Sequence, residues 1–161
     1  MKKFYFLSIL VLTMMAVMLP QKMVAQNVSV WDGTAAIWTQ GSGTQADPYL
    51  IETAQNLAWI SEMVNNGVTT YNGVWFKLTS DLNMRNIAWV PIGNSTTNCF
   101  CGKFDGDNHF IDSISVTGTY IYAGLFGITG GGADILNVGV HCDVNVSGSG
   151  HKYAGGIVGH I

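Results

Sequence analysis

The chain has 161 residues, 48% of them hydrophobic and 11% charged, with a formal net charge of −3. Phosphate backbones are bound by clustered lysines and arginines, and the seven basic residues here are too few and too scattered for that, which excludes nucleic acid as a partner. The length suits one domain rather than two, and the aliphatic and aromatic content is too high for a disordered chain.

Lys2 and Lys3 open the chain, an apolar run follows from Phe4 to Leu19, and Pro20 and the small residue Ala25 come next. This order reads as a secretory signal peptide over residues 1–25, because the run is shorter than the roughly 20 residues a helix needs to cross a bilayer. Cleavage takes away Lys2, Lys3 and Lys22 and leaves four basic residues against ten acidic ones. An acidic product, secreted or held at the cell surface, is expected, with no membrane insertion once the leader is gone. The first cysteine after the apolar run is Cys99, too distant for lipid attachment at the cleavage site.

Residues 26–74 read as an N-terminal β piece followed by a capping helix. Trp31-Asp32-Gly33 forms a turn, Ala36 to Thr39 a candidate strand, and Gly41-Ser42-Gly43-Thr44 leads through Asp47-Pro48 into Tyr49-Leu50-Ile51. The helix starts after Thr53, a good N-cap, and ends before Gly67, which accepts a left-handed backbone. Ala54, Leu57, Ile60, Met63 and Val64 make its apolar stripe, and Glu62, Asn65 and Asn66 are expected to face water.

Residues 75–161 read as short strands separated by Gly, Asn, Asp and Ser. The candidates are Val74–Leu78, Trp89–Ile92, Phe100–Phe104, Phe110–Val116, Tyr122–Phe126, Ile135–Val140 and Val144–Val146. Two stretches repeat. Ile111-x-x-Ile114-x-Val116 returns as Ile135-x-x-Val138-x-Val140 after 24 residues, and Tyr122-Ala123-Gly124 returns as Tyr153-Ala154-Gly155 after 31. Periods of this size belong to stacked units that bury an apolar face only against one another. The segment from Val140 to Tyr153 is longer than that from Val116 to Tyr122, as expected of an outward loop that tolerates growth.

In order along the chain, Asp47-Pro48-Tyr49-Leu50-Ile51, Phe76-Lys77-Leu78-Thr79-Ser80-Asp81-Leu82, Trp89-Val90-Pro91-Ile92-Gly93, Phe104-Asp105-Gly106-Asp107-Asn108-His109-Phe110-Ile111 and Gly124-Leu125-Phe126-Gly127 resemble the N-terminal part of secreted bacterial proteins with GLUG repeats. The resemblance implies a mainly β fold, a right-handed parallel β-helix or solenoid with one N-terminal capping helix, in adhesin-like modular surface proteins. It supplies no catalytic residue. Family members continue with further coils, so residues 75–161 are expected to be a truncated set of repeats, with further domains beyond the C-terminus.

Side chains that could carry chemistry are dispersed. His109, His141, His151 and His160, with His141-Cys142-Asp143 as the densest run, lack the convergent three or four ligands that zinc requires. Asp105-Gly106-Asp107-Asn108 has calcium-like oxygens, but the same residues make a turn. Cys99, Cys101 and Cys142 allow one disulfide, from Cys142 to either of the others, or serve as small apolar fillers. Asp105, Asp107, Asp112, Asp134 and Asp143 are the carboxylates a glycosidase would pair. The five tryptophans offer sugar-stacking faces or seal the core. The reading is therefore no enzyme, with no catalytic, cofactor or metal residue assigned. It is a binding or adhesion module whose loop Cys142–Gly150 meets a glycan or surface protein, with a structural spacer or a carbohydrate-active enzyme as alternatives.

Overall fold

The computed structural model describes residues 28–161, so the signal peptide expected over residues 1–25 lies outside the described part. The fold is mainly β with one short helix, and every strand pair is parallel. One four-stranded sheet consists of β2 (Tyr49–Ile51), β3 (Trp75–Leu78), β5 (Lys103–Asp105) and β9 (Asp134–Leu136), in that order. A second consists of β1 (Ser29–Val30), β4 (Leu82–Asn83), β6 (Phe110–Gly118) and β10 (Gly139–Val146). Two small sheets pair β7 (Tyr122–Ala123) with β11 (Tyr153–Ala154), and β8 (Phe126–Ile128) with β12 (Val158–His160).

Neighbours within each large sheet follow chain order, so each return of the chain to a sheet adds the next parallel strand at its edge. Inward side chains then stack in register. Phe76 pairs with Phe104 and Phe104 with Ile135, while Leu82 pairs with Ile111 and Ile111 with Val140. The rings of Phe76, Phe100, Phe126 and Phe104 continue the column, with successive centroids 5.0 to 6.2 Å apart. Phe76, Phe100, Phe104, Ile111, Val116 and Phe126 are all fully buried. Burial of such side chains stabilises a fold by about 1.5–3 kcal/mol each.

The helix, α1 (Ala54–Asn65), follows β2 directly. Thr53 caps it as expected: its hydroxyl accepts from the Asn56 amide, and the Asn56 side chain reaches back to the Thr53 amide, closing a capping box. Ala54, Leu57, Ile60 and Val64 are buried. Asn65 departs from its expected place in water. Its Nδ2 donates to Pro91 O at 2.9 Å and its Oδ1 accepts from Gly93 N–H at 2.9 Å, tying the helix to the irregular segment before Phe100.

Several expected strands divide at corners. Tyr122–Phe126 is two strands, because Gly124 and Leu125 turn between β7 and β8. Ile135–Val140 splits at Asn137, whose φ is 49°, and Val144–Val146 belongs to the same strand as Val140. Trp89–Ile92 forms no strand: it holds one isolated bridge, at Ile92, with another just before it at Ala88, since Pro91 has no N–H to offer a ladder. Residues 36–39 form no strand, and β4 goes unanticipated.

The 24-residue repeat is corrected. Ile135 lies opposite Phe104, not Ile111, and Ile111 lies opposite Val140, so the second aliphatic pattern runs from one large sheet to the other and does not stack on the first position by position. The 31-residue repeat of Tyr122-Ala123 and Tyr153-Ala154 is a true register. With Gly118 opposite Val146, the lengthened loop is shorter than the sequence alignment suggested: Thr119–Ile121 is replaced by Ser147–Lys152.

Candidate functional site

The strongest candidate lies on the outer face of β6 and β10. Ile111 and Val140 face each other, and so do Ile114 and Cys142, which leaves one more residue between the first pair and the second on β6 than on β10. Ser113, at φ 58°, absorbs the difference as a bulge. The bulge is held from the preceding layer, where Met84 N–H donates to Asp112 O at 2.8 Å and Asn86 N–H to Ser113 O at 2.9 Å. Asp112 is thereby presented outward on a backbone anchored on both sides. Its carboxylate accepts from the Ser113 hydroxyl at 3.2 Å through Oδ2 and meets His141 Nδ1 at 3.1 Å through Oδ1.

Two adjoining hollows share this pair. One, of about 230 Å³, is lined by Asn86, Asp112, Ser113, His141, Cys142 and Asp143; the other, of about 330 Å³, is lined by Phe110, Ile111, Asp112, Val140 and His141. The His141 side chain is 91% exposed and Phe110 61% exposed. Phe110 lies over Gly139, where a Cβ would run into its ring, so one ring face rests on backbone while the residue stays open to solvent. An open aromatic face beside a carboxylate, an imidazole and an amide can stack on an apolar face and exchange hydrogen bonds with hydroxyls. Burial, with Asp143 adding to it, pushes the Cys142 thiol up, which makes it a poor nucleophile.

The remaining candidates act in the framework. Asp107 and Asn108 have φ of 47° and 65° and make the tight corner between β5 and β6. Asp105 Oδ1 accepts from Asp107 N–H and from Asn137 Nδ2 of the next layer, and Asp107 pairs with Lys77 at 2.9 Å. Asp134 pairs with Lys103 at 2.6 Å. His109 Nδ1 lies 3.0 Å from Asp81 Oδ1, repeating one layer earlier the contact of His141 with Asp112. His160 packs against Tyr122 and Tyr153, and His151 stands exposed. Among the described residues no three of His, Cys, Asp and Glu converge as a metal site.

None of the five tryptophans is an exposed platform. Trp31 and Trp89 are buried edge to face at 5.6 Å, Trp38 packs on Tyr49 and Phe76, and Trp59 and Trp75 are half-buried. The exposed aromatic of the site is Phe110, which the sequence reading placed in a strand without assigning it a role. Its signal was the alternation of β6, which sends Ile111 inward and its neighbour out. The cysteines also redistribute. Cys99 and Cys101 lie together with Ile128, whereas Cys142 packs against the main core, so of the two alternatives left open, a disulfide from Cys142 or apolar filling, the arrangement matches the second for Cys142.

No family model matches the chain, and no solved structure matches it. It is 30% identical over 123 residues, 75% of its length, to a protein of Evansella cellulosilytica that carries the provisional name of Gly-rich membrane protein. The aligned part spans 14% of that relative. Among the described residues no helix is long and apolar enough to cross a membrane.

Proposed function

We propose that this chain is a non-catalytic binding module of a longer secreted or cell-surface protein, wound as a right-handed parallel β-helix with α1 as its cap. The hollow between Phe110 and His141 is its ligand contact, and the ligand class is a neutral glycan. One observation carries the reading: an open aromatic face and a hydrogen-bonded Asp112–His141 pair stand side by side on a strand pair braced by the layer before it. Sites on strands hold their geometry better than sites on loops.

The winding is supported by the chain order of both large sheets and by their parallel pairing. Parallel strands of one sheet joined by long crossovers are right-handed in about 98% of cases. The likeness to GLUG repeats fits this reading, since Gly124-Leu125-Phe126-Gly127 turns the corner between β7 and β8 and buries Leu125 and Phe126. The much greater length of the E. cellulosilytica protein supports a modular setting, and its name as a membrane protein supports attachment at the cell envelope.

The test is binding of the purified chain to immobilised neutral and acidic glycans. His141→Ala, Asp112→Asn and Phe110→Ala are each expected to weaken binding by about tenfold or more, the equivalent of one charge-assisted hydrogen bond or one stacked ring. Shortening Ser147–Gly150 is expected to leave binding unchanged. If the three variants bind as the parent does, the hollow is not the contact. If nothing binds, the spacer reading takes over.

A further inference from the structure

The corner formed by Cys99, Phe100 and Cys101 holds a pair of sulfur atoms that no role described so far uses. Phe100 is fully buried in the aromatic column, and the residues on either side of it turn their side chains away from that column into a second buried cluster. The two Sγ atoms lie 3.4 Å apart. Three backbone hydrogen bonds fix the segment: Phe100 N–H donates to Ile128 O at 3.1 Å, Gly130 N–H to Phe100 O at 2.8 Å, and Cys101 N–H to Thr70 O at 2.8 Å. Gly130 makes room for both sulfurs, since a Cβ there would sit 2.6 Å from Cys99 Sγ and 2.7 Å from Cys101 Sγ. Ile128 and Tyr122 pack against the pair, and both cysteines are buried.

We propose that Cys99 and Cys101 are a redox-active dithiol that closes to a disulfide across Phe100, with a small-molecule or protein disulfide as the oxidant. One protein thiolate attacks a sulfur of the oxidant, breaking its S–S bond, and the expelled thiolate takes up a proton. The second protein thiolate then attacks the mixed disulfide and expels the other half of the oxidant, which is protonated in turn. Two protein thiols are oxidised by two electrons in all, and the oxidant is reduced to two thiols. The geometry favours this over metal capture, because no third His, Cys, Asp or Glu joins the pair among the described residues. Burial first, and then Cys101 beside it, push the Cys99 thiol up, so its thiolate is scarce near neutral pH and exchange through it is slow.

Closure draws the sulfurs from 3.4 Å to the roughly 2.05 Å of a bond and locks the corner that carries Phe100, and reducing thiols restore the open form.

The experiment equilibrates the purified chain with graded mixtures of reduced and oxidised glutathione, quenches with acid, alkylates, and reads intact mass and peptide maps. The parent and Cys142→Ser are both expected to lose about 2 Da with residues 99 and 101 protected from alkylation. Cys99→Ser and Cys101→Ser are expected to keep that mass or carry a glutathione adduct. Gly130→Ala, checked for a native circular dichroism spectrum, is expected to need a several-fold more oxidising mixture for half-closure. Persistence of both thiols at full oxidation in the folded parent overturns the proposal, as does a disulfide that includes Cys142. Closure in Gly130→Ala at the parent's midpoint would show that the cradle plays no part and overturn that half of the argument.

Discussion

Asp81 shows how single side chains join one layer to the next. Its Oδ1 accepts from Phe110 N–H at 3.0 Å and lies 3.0 Å from His109 Nδ1. The Phe110 amide is the main reason its carboxyl sits below the ordinary aspartate value; partial burial opposes this and the His109 ring adds to it. A depressed folded value means that the charged form contributes stability, fully present above the unfolded value near 3.8 and lost as pH falls from there through the lower folded value. Urea midpoints taken between neutral pH and about pH 3 are expected to drop more steeply in the parent than in Asp81→Asn; equal slopes would show that Asp81 adds nothing. Gly106 acts by close approach. A Cβ there would lie 2.5 Å from Val138 Cβ and 2.6 Å from Asn137 O, so Gly106→Ala must push successive layers apart. A cost of about 1–3 kcal/mol is expected by denaturation. The turn at Asp105-Gly106 was legible in the sequence, because Asp and Gly favour turns locally. That Gly106 also admits the next layer was not, since Val138 is remote in the chain.

Among the elements, α1 was the most legible, because its signals are local. Thr53, the stripe of Leu57, Ile60 and Val64, and the terminating Gly67 all fall within one short window. Thr53→Ala is expected to cost about 1 kcal/mol through loss of the cap, seen as a shift in thermal midpoint. Asn65→Ala is expected to cost more, about 1–3 kcal/mol, because it leaves Gly93 N–H and Pro91 O without their partner; a change below about 0.5 kcal/mol would make Asn65 an ordinary surface residue. Nothing around Asn65 in sequence reveals this, as its partners lie 26 and 28 residues away. Strand corners were illegible for a related reason. Tyr122 to Phe126 reads as one apolar run, and only the two small sheets, one on either side of Gly124 and Leu125, explain why these residues must turn. The 24-residue match failed because aliphatic spacing is the same on every sheet, whereas Tyr122 and Tyr153 are distinctive enough to mark their register. The Phe110–His141 hollow was half legible: His141 and Asp112 were singled out, but the bulge at Ser113 that presents Asp112 outward follows from pairing with β10.

At the scale of the described residues 28–161, burial falls along the series of strands. Phe104, Ile111 and Phe126 are fully buried, while their partners one layer on, Ile135, Val140 and Val158, are only partly so. Among the described residues, strands β9 and β10 come last in their sheets and carry one pairing edge each. In a stack where each layer contacts chiefly its neighbours, stability is approximately a sum of layer and interface contributions, so a layer with one interface opens more readily than one with two. Amides of β10 and β12 are therefore expected to exchange with solvent faster than those of β6 and β8, by a wide margin in native-state hydrogen exchange. The same asymmetry governs substitution. Ile111→Ala removes a side chain enclosed on both sides and is expected to cost about 2–5 kcal/mol, whereas Val140→Ala removes a smaller, half-open one and is expected to cost well under half of that. Equal protection of β6 and β10 would mean that cooperativity spans all the layers, and the additive picture of the stack would have to be given up. A steep gradient instead ties the hollow proposed as the ligand contact to it, because His141 stands on β10 and Asp112 on β6. Ligand that bridges the two strands then stabilises the weaker layer, and added glycan is expected to slow exchange in β10 selectively, in proportion to its occupancy.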